Sequence, residues 1–162
     1  MRRVYIITLF LTHSIFGISQ GSEYYKYALD QIKKSPDFII YTEVGSKKIQ
    51  VMIEEIPFSV TARFFHNDIE KETGIDYSTA LVNEEIKENE NLKALSDKKR
   101  SKLKLFFSPI EENLFIAELA YSRSAGDLHY KGIMMFGQSL AYLFKIENDT
   151  TFIVKSILMQ NN

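Results

Sequence analysis

From residue 103 onward the chain repeats with a period of two, and that pattern constrains the fold more than anything else in it. Leu103, Leu105 and Phe107 alternate with Lys102, Lys104 and Phe106. Leu114 to Tyr121 is apolar at both sets of alternating positions, as a strand covered on two faces must be. Leu140, Tyr142, Phe144 and Ile146 alternate with Ser139, Ala141, Leu143 and Lys145. Phe152, Val154, Ser156 and Leu158 alternate with Ile153, Lys155, Ile157 and Met159. Pro109 with Glu111-Glu112-Asn113, and later Glu147-Asn148-Asp149, are turn formers between these runs. Short turns join antiparallel neighbours, so this third of the chain predicts a meander.

The earlier part supplies what covers the sheet. Ser22 caps a helix from Glu23, in which Tyr25, Ala28, Leu29 and Ile32 share a face. Lys33-Lys34 suits its negative end, and Ser35-Pro36-Asp37 stops it. Phe38 to Val44 and Lys48 to Glu54 read as two strands joined by a Gly45-Ser46 hairpin turn. Pro57 to Glu72 fits both periods: Phe58, Val60, Ala62 and Phe64 alternate, while Phe58, Ala62, Phe65 and Ile69 lie on one helical face. A helix from about Ser59, ended by Gly74, is the preferred reading. Asp76 caps a further helix carrying Ala80, Val82 and Ile86, with Glu84 to Glu90 ahead of Lys93 to Arg100. Glu88 to Lys102 is then a solvated helix end and loop. Ser122 to Asp127 is a loop, and His129 to Phe136 is extended.

The expected class is α+β: an antiparallel meander sheet of five or six strands, with two or three helices packed on one face. This element order resembles the cystatin-like and NTF2-like half-cones, in which a curved sheet wraps a helix. The resemblance implies a fold and no activity.

The N-terminus reads as an address. Met1-Arg2-Arg3 precedes an apolar run from Val4 to Ile18, broken by His13 and Ser14, with small residues Gly17 and Ser19 two apart. This is the pattern of a secretory signal peptide over 1–19, cleaved after Ser19. The run is shorter than the roughly 20 apolar residues of a bilayer span. Residues 20–162 then form a single α+β domain without a transmembrane segment. Its 18 Lys and Arg stand against 21 Asp and Glu, a net charge of −3.

The 162 residues include no cysteine. That excludes disulfides, thiolate metal sites and a cysteine nucleophile. Export without disulfides favours a bacterial periplasm or exterior. A nearly balanced charge speaks against nucleic acid as a partner.

Few side chains offer chemistry. His66 and His129 are the histidines left after cleavage. His66, Asp68 and Glu70 share a strand face, and His66 and Glu70 a helix face, so they are the candidate metal set; a charged, solvated helix surface is the preferred reading. Asp127-Leu128-His129 pairs a carboxylate with an imidazole on a loop, making His129 and Asp127 the first acid–base candidates and His66 the next. Gly137-Gln138-Ser139 lacks the last glycine of a nucleophile elbow and leads into a strand, so it is set aside. Lys98 to Lys104 is a basic run, read as a solvated helix end. Tyr24 and Tyr27 flank the core position Tyr25. No sequence pattern calls for a cofactor.

These features predict an exported, non-catalytic binding or accessory domain, with a protein or a small apolar ligand as partner. Phe106, Phe115, Leu119, Met134 and Leu143 are the residues that would line an apolar pocket or fill the core. The alternative is a small hydrolase or isomerase with a polar pocket lined by His129 or His66. A third is attachment to the envelope.

Overall fold

The computed structural model describes residues 21–78, 85–122, 129–130 and 137–161. The expected signal peptide, the Asp76-capped helix beyond Ser78, Asp127 and Met134 therefore lie outside the described residues.

A helix over residues 21–34, α1, buries Tyr25, Ala28, Leu29 and Ile32, as its spacing predicts. A second helix, α2, follows at once over Pro36–Tyr41. The expected strand from Phe38 is thus a helix. The reason is local: Ser35 accepts a hydrogen bond from the Phe38 N–H at 3.1 Å, and Pro36 occupies the first turn. Proline is at home there, because its missing N–H would have no intrahelical acceptor. The Ser-Pro-Asp that stops α1 also starts α2.

Strand β1 spans Ile49–Glu55. The ambiguous segment after it is helical: α3 over Phe58–Ala62, a 3-10 turn over Arg63–Phe65 and α4 over His66–Thr73. Gly74 closes α4 at φ 76°, its N–H donating to the Glu70 carbonyl at 2.7 Å. That left-handed conformation is one glycine adopts freely.

Residues 87–95 differ from the expected helix. Lys87–Glu88 is a short strand, β2, and Glu90–Leu95 is a 3-10 helix that buries Leu92. Main-chain demand on the flank of β1 explains this: the Asn89 N–H donates to Ile53 O, Asp97 N–H to Ile49 O, and Val51 N–H to Ser96 Oγ. A strand edge with open N–H and C=O groups captures what runs beside it.

The meander follows as predicted, with β3 Leu103–Phe107, β4 Leu114–Tyr121, β5 Gly137–Glu147 and β6 Thr150–Asn161. Glu112, Asn113, Asn148 and Asp149 take positive φ in the two hairpin turns, the conformation two-residue hairpins require. The six strands lie in the order β2-β1-β3-β4-β5-β6. Every pairing is antiparallel except β1 with β3.

The α+β class and mainly antiparallel sheet agree with expectation; the layering is fuller. Tyr25, Ile32 and Phe38 pack on Val51, Leu105, Phe115, Leu119 and Tyr142. Phe58, Phe65 and Ile69 pack on Phe106, Ile116, Ala141 and Leu143. Helices therefore cover both faces rather than one, because β3 and β4 are apolar on both.

Ser35 joins three partners at the α1–α2 junction: it caps Phe38, donates to Ile32 O at 2.9 Å and shares a hydrogen bond with the Tyr142 hydroxyl at 2.8 Å. Ser35→Ala should lower stability by about 1–2 kcal/mol, read as a lower urea midpoint with an unchanged slope.

Candidate functional site

The alternation of β1 sends Gln50, Met52 and Glu54 to the α3–α4 face, since Gln50 stands opposite Lys104, and Lys104 opposite Ala120. These three, with Val51 and Ile53, form one wall of a cleft of about 710 Å³. Glu88 and Lys93 stand beside them, Ser96 to Arg100 supply another wall, and His129 lies at the opening.

Glu54 anchors this region. One carboxylate oxygen is hydrogen-bonded to His129 Nδ1, and the other accepts the Tyr130 N–H at 2.7 Å. The Glu54 side chain is 9% exposed and that of His129 is 87% exposed. A held carboxylate thus presents an accessible imidazole, an arrangement that fixes ring orientation and supports proton transfer.

A second carboxylate lies deeper. The register puts Glu118 between Phe106 and Ala141, fully buried. The Tyr130 hydroxyl donates to its Oε2 at 2.7 Å, and Thr61 reaches the same oxygen at 3.4 Å. Its Oε1 has no hydrogen-bond partner among the described residues, and the buried Ser139 hydroxyl lies near the carboxylate. Burial pushes the Glu118 carboxyl up, against the donors that favour its charged form. Burial, and then the neighbouring Glu118 charge, push the Tyr130 hydroxyl far above the ordinary tyrosine range. Tyr130 therefore ties the two carboxylates together, through its N–H on Glu54 and its hydroxyl on Glu118.

Lys104 is equally buried, and its ammonium donates to Gln50 Oε1 at 2.6 Å. The same oxygen accepts the Ser101 N–H at 3.0 Å. Gln50 is thereby locked between β3 and the loop that walls the cleft.

The residues singled out from sequence fall in different places. His129 is at the cleft, with Glu54 as its carboxylate partner; Asp127 lies outside the described residues. His66 begins α4 and bonds the Arg63 carbonyl through Nδ1 at 3.0 Å. Among the described residues no group of three or more His, Asp or Glu gathers to hold a metal, so His66, Asp68 and Glu70 do not converge. Phe106 and Leu143 are closed into the α3–α4 layer, while Phe115 and Leu119 are closed into the α1–α2 layer. They fill core on opposite faces and line no common pocket. Tyr25 is buried and donates to Ser108 O at 2.9 Å; Tyr24 reaches Asp149 at 3.2 Å.

Gln50, Glu54, Lys104 and Glu118 are absent from the sequence-based candidates. Glu118 carries a signal, being the one acid in an otherwise apolar doubly buried run. Glu54 and Gln50 carry none, because polar residues alternating along a strand usually face water.

No family model matches the chain, no curated protein matches it, and no solved structure matches it.

Glu118 binds a proton more readily folded than unfolded. Its contribution is fully present below the ordinary carboxylate range and is lost as pH rises through the raised value. Glu118→Gln should therefore be more stable than the parent at pH 8, by about 1–3 kcal/mol, and lose that advantage towards pH 4. Urea unfolding across this range measures it; an equal or less stable variant at pH 8 contradicts the assignment.

Proposed function

We propose that the chain is an exported binding domain without catalytic chemistry, and that it holds a small polar molecule in the cleft along β1. The observation that carries this reading is the cleft itself. Its volume of about 710 Å³ sits within the roughly 300–1,000 Å³ of small-molecule sites. Met52 and Val51 offer apolar contact, and Glu54, His129 and the 96–100 wall offer polar contact. That lining suits a polar ligand with an apolar body better than a wholly apolar one. Export rests on the sequence pattern of residues 1–19; no helix among the described residues is long and apolar enough to cross a membrane.

Two measurements test this. Mass spectrometry of the exported protein should find Gln20 at the N-terminus, and an intact Met1 would overturn the processing. Amide spectra of the chain from Gln20, titrated with a mixture of small polar metabolites, should shift around Gln50, Met52, Glu54 and His129. Shifts confined to other surfaces, or none with any metabolite, would overturn the cleft as the binding site.

The His129–Glu54 pair supports a second reading, a hydrolase or isomerase in which His129 moves a proton and Glu54 orients it. Turnover of a chromogenic ester or glycoside should then fall by about 10²-fold or more in His129→Ala. Turnover unchanged by that substitution would exclude this role.

A further inference from the structure

The near-neutral charge of the chain conceals a separation of charge along the strands. The loop over residues 42–48 and the loop over 96–102 lie side by side, where β1 and β3 both begin. Ser101 Oγ donates to Lys48 O at 2.5 Å, the Ile49 N–H to Asp97 Oδ2 at 3.1 Å, and the Tyr121 hydroxyl to Ser46 O at 3.1 Å. Together the two loops expose Lys47, Lys48, Lys98, Lys99, Arg100 and Lys102. None of these six forms an ion pair with a described residue. Among the described residues these two loops carry two acids: Glu43 is exposed, and Asp97 is committed to Lys33 at 2.6 Å and to the Ile49 N–H; Glu54 and Glu88 line the cleft that Lys98, Lys99 and Arg100 wall.

The far end of the sheet carries the opposite sign. Glu55, Glu85 and Glu111 line one depression there, and Glu112, Glu147 and Asp149 occupy the neighbouring hairpin turns. Lys87 is the cation among the depression's residues, and Lys145 nearby is held by Glu72 at 2.7 Å.

Val44 adds an apolar element to the basic end. It is 99% exposed, on the same loop as Lys47 and Lys48. Gly45 beside it lies so close to the Tyr121 ring that a Cβ there would sit 2.2 Å from the hydroxyl. The loop is thus seated on Tyr121, which in turn stacks on Tyr41 at 5.5 Å, and Val44 is held outward.

We propose that this end is a docking surface for an anionic lipid bilayer. The unpaired cations meet the headgroups, and Val44 enters the interfacial layer. Cations clustered around one projecting apolar side chain fit a surface that is anionic outside and apolar beneath, as a bilayer is. A soluble polyanion offers nothing to Val44. The acidic end, repelled by the same surface, fixes which way the molecule points. Lys98, Lys99 and Arg100 also wall the cleft, and the vesicle assay contains no small ligand, so its outcome is read separately from that of the cleft titration.

The test is co-sedimentation with vesicles of phosphatidylcholine alone and of phosphatidylcholine mixed with phosphatidylglycerol. Inorganic polyphosphate serves as the soluble polyanion. A chain beginning at Gln20 is used, since the described core runs from Tyr25 to Met159 and lies wholly within it. Binding is expected to the mixed vesicles only and to weaken with salt. Each cation near an anionic leaflet is worth roughly fivefold in partitioning. Lys98→Glu/Lys99→Glu/Arg100→Glu should therefore lower it by roughly a hundredfold or more, and Lys47→Ala/Lys48→Ala by about twentyfold. Val44→Ser should weaken it severalfold, whereas Glu111→Lys/Glu112→Lys should not weaken it. Absence of vesicle binding, or equal binding by the triple variant with its thermal midpoint unchanged, overturns the proposal. So does polyphosphate binding as tight as vesicle binding and indifferent to Val44→Ser, which would make a soluble polyanion the partner.

Discussion

The architecture depends on β4 being buried on both faces. Leu114, Ile116 and Ala120 point to one layer, and Phe115, Ala117 and Leu119 to the other. From Leu114 to Ala120 every position of the strand is closed off from water, so each layer needs its own helices. The short helices after β1 serve one face, and α1 with α2 serve the other. Phe115 shows the consequence in detail: it stacks on Phe144 at 5.0 Å and meets Tyr25 edge-on at 5.2 Å. Strand neighbour and helix neighbour are thus joined through one ring.

The same doubly buried sheet gives its polar residues their significance. A charge placed there loses water on all sides and must be compensated by the chain. Lys104 is compensated by Gln50, and Glu118 by Tyr130 and Thr61 through one of its oxygens. Glu54 lies nearer the margin, where the sheet gives way to the cleft, and has both oxygens engaged. Burial thus grades from a carboxylate with an unsatisfied oxygen to one that holds an accessible imidazole, with Tyr130 spanning the distance between them.

Periodicity made most of the sheet legible. The turns at Glu112-Asn113 and Asn148-Asp149, the central place of β4 and the apolar face of α1 follow from local composition alone. What stayed hidden was set by partners distant in sequence. Phe38 to Tyr41 alternates as a strand would, yet Ser35 and Pro36 start a helix there. Lys87 to Leu95 carries the charge order of a helix, yet the open flank of β1 draws it into main-chain bonds. His129 was legible as a candidate, while its partner Glu54 lies 75 residues away in the chain and alternates like any surface glutamate. Only the register makes the pair.

β6 forms the outer margin of the described sheet over twelve residues, with one side of its main chain unclaimed by any other described strand. Its pairing with β5 slips between Leu143 and Phe144, so that Lys155 and Ile153 face consecutive β5 residues. Such a slip bends and twists the strand. Another chain laid along this margin could remain in step for only part of its length before meeting the bend and the charge of Lys155. Edges interrupted in this way resist growth into fibrils. The irregularity at Val154 thus makes this margin of the folded sheet a poor template for pairing with another copy, a consequence distinct from anything it contributes to the interior.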